Sequence, residues 1–408
     1  MAILATLAAA GLGAWIYQVA NGLGVTAMNN IVSWGLYITA FMFLVGLSAG
    51  GLIVSSSASV FNIKPFKAVA KPAVLLSTVC IILAALFIFV DLGRPDRFLN
   101  LVLSPRFNSP LIWDVVVIAA YLVISVLYLY YLSRPDTKET TKYTFSAIAL
   151  PVAVLVHSVT AWIFGLQIAR PVWHSALLAP LFVVSALDSG LALLLLVLMG
   201  LVRLGYPKLE KNLLATLAGL LAVLVMVDVF FVFSEVLTAL YPSEERLMEY
   251  INLLLTGSLA PFFWGEIILG VVLPFALLLS RSRRENRTVV GMASLGVVVG
   301  VFFKRVWLLF SAYLLPLIND PPGVTLGKYQ VPATEAWGSV SIWATAGSYS
   351  PTWVEYLIFI GIFAFGALLY SLGARYLLTA SPDENASQAV SSRATTAGPV
   401  EARTPMVS

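Results

Sequence analysis

The amino-acid sequence predicts an all-α integral membrane protein with about ten transmembrane helices. Hydrophobic residues make up 60% of the 408 residues and charged residues only 11%, whereas soluble globular domains contain about 25% charged residues. The apolar runs are also long enough to cross a bilayer core about 30 Å thick, which takes about 20 residues of helix. We therefore exclude a soluble globular domain and expect the lipid bilayer, rather than a nucleic acid, as the main partner of the surface.

Ten apolar segments satisfy this length criterion and are predicted to be the transmembrane helices. They cover residues 3–20, 31–57, 68–90, 111–132, 145–166, 176–202, 213–240, 251–280, 289–317 and 352–378. The first segment is short and contains Gly11 and Gly13, so a cleaved signal peptide is an alternative. Because it lacks the basic n-region that such peptides carry, we predict a membrane span there too.

The basic residues of the loops predict how the chain is oriented in the membrane. Most of them lie in the loops after the second, fourth, sixth and eighth spans, as in the segment 281–287, which holds four arginines. The positive-inside rule places such loops in the cytoplasm. We therefore expect a multi-pass protein of the cell (inner) membrane with both termini in the cytoplasm. The polar, Ala/Ser-rich segment 379–408 is predicted to be a disordered cytoplasmic tail.

Five consecutive spans carry ionisable residues close to their midpoints. These residues are His157, Asp188, Asp228, Glu266, Lys304 and Arg305. With a rise of 1.5 Å per residue, all of them are predicted to lie within about 5 Å of one depth. Such groups cost several kcal/mol at the bilayer centre and normally face a bundle interior or a wet cavity. Glu235 lies seven residues after Asp228 and so shares its helical face.

Two interpretations of these residues are open. In the first, Asp228 or Glu266 pairs with Lys304 or Arg305, and the ion pairs only specify how the helices pack. In the second, the residues line a hydrated proton path. Its members would be His157, Asp188, Asp228, Glu235, Glu266, Lys304 and Arg305. The central carboxylates outnumber the cations, and a buried carboxylate without a counterion can hold a proton near neutral pH, which favours the second interpretation.

Both histidines of the chain, His157 and His174, lie in the segment 155–175. A transmembrane haem would need two ligands at the same depth, but His174 lies in a loop beyond Pro171, so we predict no haem. The single cysteine, Cys80, excludes an iron–sulfur cluster in this chain, and no metal site is predicted. If the protein takes part in redox chemistry, its mobile carrier is therefore a lipid-soluble quinone, and a partner supplies the metal centres.

A quinone site needs aromatic walls and polar groups for the carbonyl oxygens, and the predicted outer ends of the helices contain both. The candidate residues are Asn30, Trp34, Tyr37, Asp91, Arg94, Asp114, His157, Arg170 and His174. For Trp34 and Trp173, as for Trp162, the alternative is an interfacial aromatic belt. For His174 the alternative is an ordinary surface position in a loop.

A secondary transporter with a substrate or ion site at the midplane is the alternative function class. Transporter folds contain broken helices and inverted repeats. Here Pro261 and Pro274, in the eighth predicted span, are the main interruption of a helix, and no clear repeat is visible. The residues by themselves favour a quinone protein but leave both classes open.

Five segments, in order along the sequence, resemble one known family. They are residues 21–51, 91–98 (DLGRPDRF), 109–122 (SPLIWDVVVIAAYL), 157–187 and 348–357 (SYSPTWVEYL). The pattern resembles the NrfD-like, or polysulfide reductase membrane-subunit, family. The number of spans is similar to that of its ten-helix branch, which includes membrane subunits of sulfite-reduction-associated complexes, hydrogenases and the alternative complex III.

The resemblance implies two four-helix bundles with a single helix at each end. Residues 1–30 would then form the first span and its outer loop, and residues 318–351 an outer loop before the last span, 352–378. The two bundles would comprise residues 31–166 and 167–317.

The resemblance also implies a function, that of a membrane subunit in a respiratory oxidoreductase complex of an electron transport chain. Such a subunit exchanges electrons between a quinone, either menaquinone or ubiquinone, and a ferredoxin-like iron–sulfur subunit on the outer face. Further catalytic or cytochrome subunits belong to the complex, and some members are proposed to translocate protons through their bundles. The resemblance assigns the quinone role to a group of residues in the matching segments, namely Asn30, Trp34, Asp91, Arg94, His157 and Arg170.

Overall fold

The computed structural model describes residues 1–203, 210–315 and 347–378 of the protein, and in these ranges every regular element is a helix. Ten of the helices are long and apolar enough to cross a membrane, which confirms the predicted fold class and number of spans. We label them α1 (Ala2–Asn21), α2 (Leu36–Val60), α3 (Ala70–Asp91), α4 (Pro110–Ser133), α5 (Glu139–Gly165), α6 (Leu178–Arg203), α7 (Lys211–Leu240), α8 (Ala260–Leu278), α9 (Arg287–Leu314) and α10 (Trp353–Leu377).

The predicted span 31–57 begins too early, because a turn precedes α2. The side-chain Oδ1 of Asn29 accepts hydrogen bonds from the backbone N–H groups of Ile31 and Val32, each at 2.9 Å. An Asx turn of this kind competes with helical hydrogen bonding, and the helix therefore begins only after Gly35.

The predicted span 251–280 is wrong at its start, because two elements occupy that segment. Glu245–Leu255 forms a separate amphipathic helix that does not cross the membrane, and α8 begins at Ala260, with Pro261 in its first turn. The apolar face of the first helix continues into the span without a change of composition, which conceals the break from a hydropathy count.

Parts of two predicted loops and the predicted tail lie outside the described residues. These parts are 204–209, 316–346 and 379–408. The predicted disordered tail 379–408 and most of the predicted outer loop 318–351 are therefore not described by the structure.

The helices pack in two sets that meet at α2 and α6. The first set comprises α2, α3, α4 and α5, and the second comprises α6, α7, α8 and α9. Helix α2 contacts members of both sets and is the most buried span, while α1 packs on α10 and α10 packs on α3. The division of the protein into two bundles at residues 166 and 167 stays a prediction, since the sets share an extensive interface.

Glycines allow the two sets to approach closely at the contact of α2 with α6. A Cβ atom built on Gly50 would lie only 2.4 Å from the Cα atom of Gly190, and the reverse distance is also 2.4 Å. Small residues at helix interfaces in membranes let backbones come together and gain van der Waals contact. The packing of the two sets therefore depends on the absence of side chains at these two positions.

Helix α8 changes its hydrogen-bonding pattern at its centre. It is α-helical at Ala260–Gly265, π-helical at Glu266–Val272 and α-helical again at Leu273–Leu278. Pro274 lacks an N–H group and would clash with the carbonyl group four residues earlier in a regular helix, so a wider turn before it relieves the clash. Segments of π-helix are rare and occur frequently at functional sites.

We name the two ends of the transmembrane helices by one residue each. The His174 side contains the loops 22–35, 92–109, 166–177 and 241–259, and the Arg284 side contains the loops 61–69, 134–138 and 279–286. The positive-inside rule predicts that the Arg284 side faces the cytoplasm.

A substitution at the glycine contact tests this packing. We expect Gly190→Ala to destabilise the protein by about 1–3 kcal/mol, because the added methyl group meets the backbone of α2. Gly200→Ala is the matched control, since a Cβ there has no neighbour within 4 Å. Thermal unfolding in detergent is the measurement, and equal midpoints for the two variants would contradict the assigned contact.

Candidate functional site

Four aromatic side chains pack together on the His174 side, at the ends of α2, α5 and α9. The ring of Trp173 lies 5.2 Å from both Phe164 and Tyr313 and stacks on Trp34 at 6.3 Å between centroids. Its indole N–H donates to the backbone oxygen of Leu308 at 2.8 Å. Trp173 is buried, so its alternative assignment to a lipid-facing aromatic belt is wrong.

Arg170 lies against these rings. Its guanidinium is 4.7 Å from the ring centre of Tyr313 and 5.6 Å from that of Trp173, and it donates to the backbone oxygen of Ala312. Partial burial lowers the pKa of Arg170. Among the described residues it forms no ion pair with a carboxylate, so ring faces and one carbonyl dipole stabilise its charge.

Tyr37 and Asp91 lie at the same end of the helices as this aromatic group. The hydroxyl of Tyr37 donates to Gln18 of α1 at 2.7 Å, and the Gln18 amide donates to the backbone oxygen of Val90 at 2.9 Å. The neighbouring Asp91 has a buried oxygen, Oδ1, with no hydrogen-bond partner in the described residues. An unpaired buried carboxylate oxygen is costly, which makes it a candidate for contact with a ligand or a water molecule.

The sequence interpretation missed Glu355, a completely buried carboxylate in the first turn of α10. It accepts hydrogen bonds from the N–H groups of Ala27 and Thr352, each at 2.9 Å, and from the hydroxyl of Tyr349. Burial and the negative charge of Glu355 raise the pKa of Tyr349. The signal that could have revealed Glu355 is the capping box formed with Thr352.

Tyr313 connects the aromatic rings around Trp173 with the polar residues around Glu355. Its hydroxyl is 3.0 Å from that of Ser33, its backbone oxygen accepts from Gly347, and it interacts electrostatically with both Asp91 and Arg170. We call the whole set the Tyr313 cluster. Its members are Trp34, Tyr37, Asp91, Arg170, Trp173, Tyr313, Tyr349 and Glu355.

Three predicted quinone residues do not join the Tyr313 cluster. Arg94 is exposed and forms a two-point ion pair with Asp96, at 2.9 and 3.0 Å. Asn30 is exposed, whereas the neighbouring Asn29 makes the turn before α2. His174 is also exposed, and its Nδ1 lies 2.8 Å from the backbone oxygen of Gly165 at the end of α5. Local partners hold the side chains of Arg94 and His174 away from the cluster.

Asp114 and His157 lie deeper, inside the first set of helices. Asp114 accepts a hydrogen bond from Thr160 at 2.7 Å. The two ring nitrogens of His157 lie 2.9 Å from the oxygen of Ala153 and 3.0 Å from that of Val45. Both partners are acceptors, so a neutral ring can donate to only one of them and a protonated ring to both. The polar partners expected for His157 are therefore backbone carbonyls.

A line of hydroxyl groups continues from Asp114 along α4, and the sequence interpretation missed it. Tyr121 and Tyr128 follow Asp114 at seven-residue intervals and are fully buried. The hydroxyl of Tyr121 lies 2.9 Å from Ser48 and 2.7 Å from Ser77, and that of Tyr128 accepts a hydrogen bond from α2. A spacing of seven residues keeps side chains on one helical face, and this spacing is the sequence signal that could have revealed the line of hydroxyl groups.

The second set of helices contains a buried lysine between two acids. The Lys304 ammonium of α9 contacts the carboxylate of Asp228 on α7 and lies 3.0 Å from that of Glu266 on α8. The indole N–H of Trp307 donates to the other oxygen of Glu266 at 2.5 Å. Buried ion pairs are therefore present, as the first interpretation of these residues predicted, and they tie three helices together.

Arg305 does not form the predicted ion pair with Asp228 or Glu266. It donates to the hydroxyl of Ser185 at 2.5 Å and lies 4.1 Å above the ring of Phe182. Within the described ranges, Nε and Nη1 of Arg305 and one oxygen each of Asp188 and Asp228 have no hydrogen-bond partner. The pairing is thus incomplete, and unsatisfied polar atoms of both signs remain at this depth.

A further acid, Glu235, lies between the buried charges around Lys304 and the His174 side. Glu235 accepts a hydrogen bond from Ser175 at 2.8 Å. Tyr250, in the helix Glu245–Leu255, is buried, and its pKa is raised by burial and by the negative charges of Glu235 and Glu266. The charges of both carboxylates therefore act on Tyr250, which was not among the predicted site residues.

The sequence matches one protein family over most of its length. The sequence profile described as "Polysulphide reductase, NrfD" matches residues 24–316. A protein of Halobacterium salinarum, whose name describes a "Putative dimethyl sulfoxide reductase membrane subunit", is 38% identical over 407 residues. The match spans 94% of the present protein and 92% of that relative.

Two other relatives are similar to the protein over most of its length. The "Hdr-like menaquinol oxidoreductase integral membrane subunit" of Archaeoglobus fulgidus is 29% identical over 374 residues, which span 91% of each protein. The "Menaquinone reductase, integral membrane subunit" of Nitratidesulfovibrio vulgaris is 24% identical over 396 residues, which span 90% of the present protein and 88% of that relative.

Removal of the buried cation tests the role of Lys304 in stability. We expect Lys304→Met to cost about 3–5 kcal/mol, because two carboxylates then lack their counterion in the protein interior. The double variant Lys304→Met, Asp228→Asn should recover part of the lost stability, because one of the two carboxylates is then neutral. Lys142→Met is the control, since Lys142 forms an ion pair at 2.9 Å with the exposed Glu139, worth about 0–1 kcal/mol. Unfolding midpoints in detergent measure all three, and a similar loss in the control would refute the assignment.

Proposed function

The chain belongs to the polysulphide reductase NrfD family, and we propose that it is the quinone-reactive membrane subunit of a respiratory oxidoreductase complex. The observation that supports this most is the Tyr313 cluster, where aromatic faces, a cation and an unpaired carboxylate oxygen lie together at one end of the helices. The names of the Archaeoglobus fulgidus and Nitratidesulfovibrio vulgaris relatives contain menaquinol and menaquinone, which favours menaquinone over ubiquinone as the substrate.

The Tyr313 cluster fits the chemistry of a quinone headgroup. A quinol carries two electrons and two protons, so its site must bind a flat ring and move protons at its two oxygens. Trp34 is partly exposed and stacks on Trp173, which offers a flat apolar wall. We propose that Arg170 supplies a cation for one oxygen of the headgroup and that the unpaired Oδ1 of Asp91 accepts a proton from the other.

The electrons need a partner protein. The sequence contains one cysteine, and an iron–sulfur cluster takes about four cysteine ligands. We propose that a ferredoxin-like iron–sulfur subunit docks on the His174 side and receives or delivers the electrons there, with further catalytic or cytochrome subunits beyond it. The relatives' names, in which the word subunit recurs, support such a complex.

An exposed apolar surface on the His174 side supports this docking position. Four large hydrophobic side chains in and just after the short helix Phe98–Leu103 are more than half exposed. They are Leu99, Val102, Leu103 and Phe107. Four exposed apolar side chains so close in sequence indicate an apolar patch, which outside the spans is typical of a protein contact.

We propose the orientation that the positive-inside rule predicts. The Arg284 side then faces the cytoplasm of a cell (inner) membrane, both termini are cytoplasmic, and the Tyr313 cluster opens toward the opposite face.

We also propose that the buried polar residues of α6 to α9 carry protons. The proposed path runs from the Lys304 group through Tyr250 to Glu235 and Ser175 on the His174 side, and the π-helical turn of α8 positions Glu266 in it. Unpaired atoms of Asp188, Asp228 and Arg305 leave positions for bridging water. The reductase and oxidoreductase names of the relatives favour an oxidoreductase subunit over a secondary transporter.

The quinone assignment predicts the effect of a single change at Asp91. We expect Asp91→Asn to slow quinol-dependent electron transfer by about 10²–10⁴-fold, the usual contribution of a general base, while the complex still assembles. Asp96→Asn is the matched control, because Asp96 belongs to the exposed pair with Arg94. The measurement is the rate of quinol oxidation by membranes that contain the complex. Equal rates for the two variants would refute the role of Asp91.

The proton path predicts a different phenotype for its members. We expect Glu266→Gln and Tyr250→Phe to abolish proton movement while quinol oxidation continues, because these residues lie away from the Tyr313 cluster. Glu285→Gln, at an exposed position on the Arg284 side, should behave like the unchanged protein. The assay is a pH-sensitive dye inside vesicles that contain the reconstituted complex. Normal proton movement in both path variants would reject the path.

A further inference from the structure

An apolar groove lies between α7 and α8 on the Arg284 side, far from the Tyr313 cluster. Its volume is about 410 Å³. The residues that line it include Val223, Met226, Phe230, Phe275, Leu279 and Arg284. Most of these side chains face away from the helix bundle and are therefore accessible from the lipid.

Small residues on α7 create the groove. Gly219 and Ala222 line its end at the Arg284 side. Their small size leaves a depression in the surface of α7 next to α8. From Gly219 to Phe230 the groove follows α7 for about 16 Å at 1.5 Å per residue. This length is about half of the hydrocarbon thickness of a bilayer, which is about 30 Å. The groove therefore has the length of an acyl group in one leaflet.

Arg284 closes the groove where the headgroup region of the membrane begins. Its guanidinium donates to the last carbonyl groups of α8, those of Leu278 at 2.7 Å and Leu279 at 3.0 Å. The third guanidinium nitrogen, Nη1, lies over Gly219, only 2.8 Å from the position that a Cβ atom there would occupy. The fixed cation is thus held directly above an apolar channel.

The neighbouring residues add positive charge. Arg281, Arg283 and Arg287 surround Arg284 in sequence, and Glu285 is the single acid of that segment. Basic residues near an anionic membrane surface attract its lipids. The combination of an acyl-length apolar channel with a cationic end is complementary to an anionic phospholipid.

We propose that this groove is a binding site for one anionic phospholipid molecule. One acyl group lies between α7 and α8, and the phosphate contacts Arg284. The bound lipid covers the outer side of α7 at Met226 and Val227, next to Asp228 in the buried ion-pair group, and so it supports the helices that hold Lys304. This site is independent of the proposed quinone function.

Competition between two lipids in native mass spectrometry tests the site. The full-length protein is freed of lipid in a neutral detergent and then given equal amounts of phosphatidylglycerol and phosphatidylcholine vesicles. We expect one retained phosphatidylglycerol per protein molecule. Arg284→Gln should reduce its retention about fivefold, the equivalent of about 1 kcal/mol, and leave that of phosphatidylcholine unchanged.

Two further variants make the result decisive. Gly219→Leu fills the groove and displaces the guanidinium, so it should reduce retention of both lipids, and a leucine is favourable in a helix. Arg281→Gln is the matched control, because Arg281 is exposed and does not line the groove. Circular dichroism confirms that each variant is folded.

Several outcomes would overturn the proposal. Equal losses in Arg284→Gln and Arg281→Gln would show general surface attraction, and unchanged retention in Gly219→Leu would exclude the groove. A mass for two copies of the protein without lipid would identify a dimer contact instead. Release of the lipid by inorganic phosphate alone would show that the acyl group is not bound.

Discussion

The placement of a buried basic residue, Lys304, between two acids in the middle of the transmembrane helices is the constraint on which the second half of the protein depends. A charged group in this environment persists only with partners close by, so α7 and α8 must bring Asp228 and Glu266 to α9 at one depth. The π-helical turn of α8 permits that approach. Gly270 of α8 and Gly300 of α9 also permit it, since a Cβ atom built on Gly300 would lie 2.4 Å from the Cα atom of Gly270. Stability and proposed proton chemistry therefore share the same few atoms.

Helix α9 connects this constraint to the Tyr313 cluster. The backbone oxygens of Leu308 and Ala312, one turn or more beyond Lys304, accept the hydrogen bonds of Trp173 and Arg170, and Tyr313 lies on the same helix. A movement of α9 along its axis would change both polar groups at once. This common element is a physical means by which the proposed quinone chemistry at one end would affect the proposed proton path in the middle, without a contact between the two sites.

Some parts of the candidate site followed from residue type and spacing. Trp34, Tyr37, Asp91 and Arg170 meet near Tyr313 because each comes at the end of a span on the same side. Arg94 and His174 also come near the ends of spans on that side, but they have nearer partners, Asp96 and the end of α5. A prediction based on depth alone cannot include such local competition. Glu355 was missed because the position of α10 along the membrane follows from the sequence but its neighbours do not. Tyr250 was missed because its helix, Glu245–Leu255, was not predicted.

The sequence alone determined the number of spans, because this depends on apolar length, and it predicted one common depth for the charges of α5 to α9 from the fixed rise per residue. Only the tertiary structure decided which charges are paired. Lys304 and Arg305 are adjacent in sequence and lie at the same depth, yet Lys304 contacts two carboxylates and Arg305 a hydroxyl and a ring. Adjacent helical positions point about 100° apart, so the arrangement of the neighbouring helices determines the partner of each.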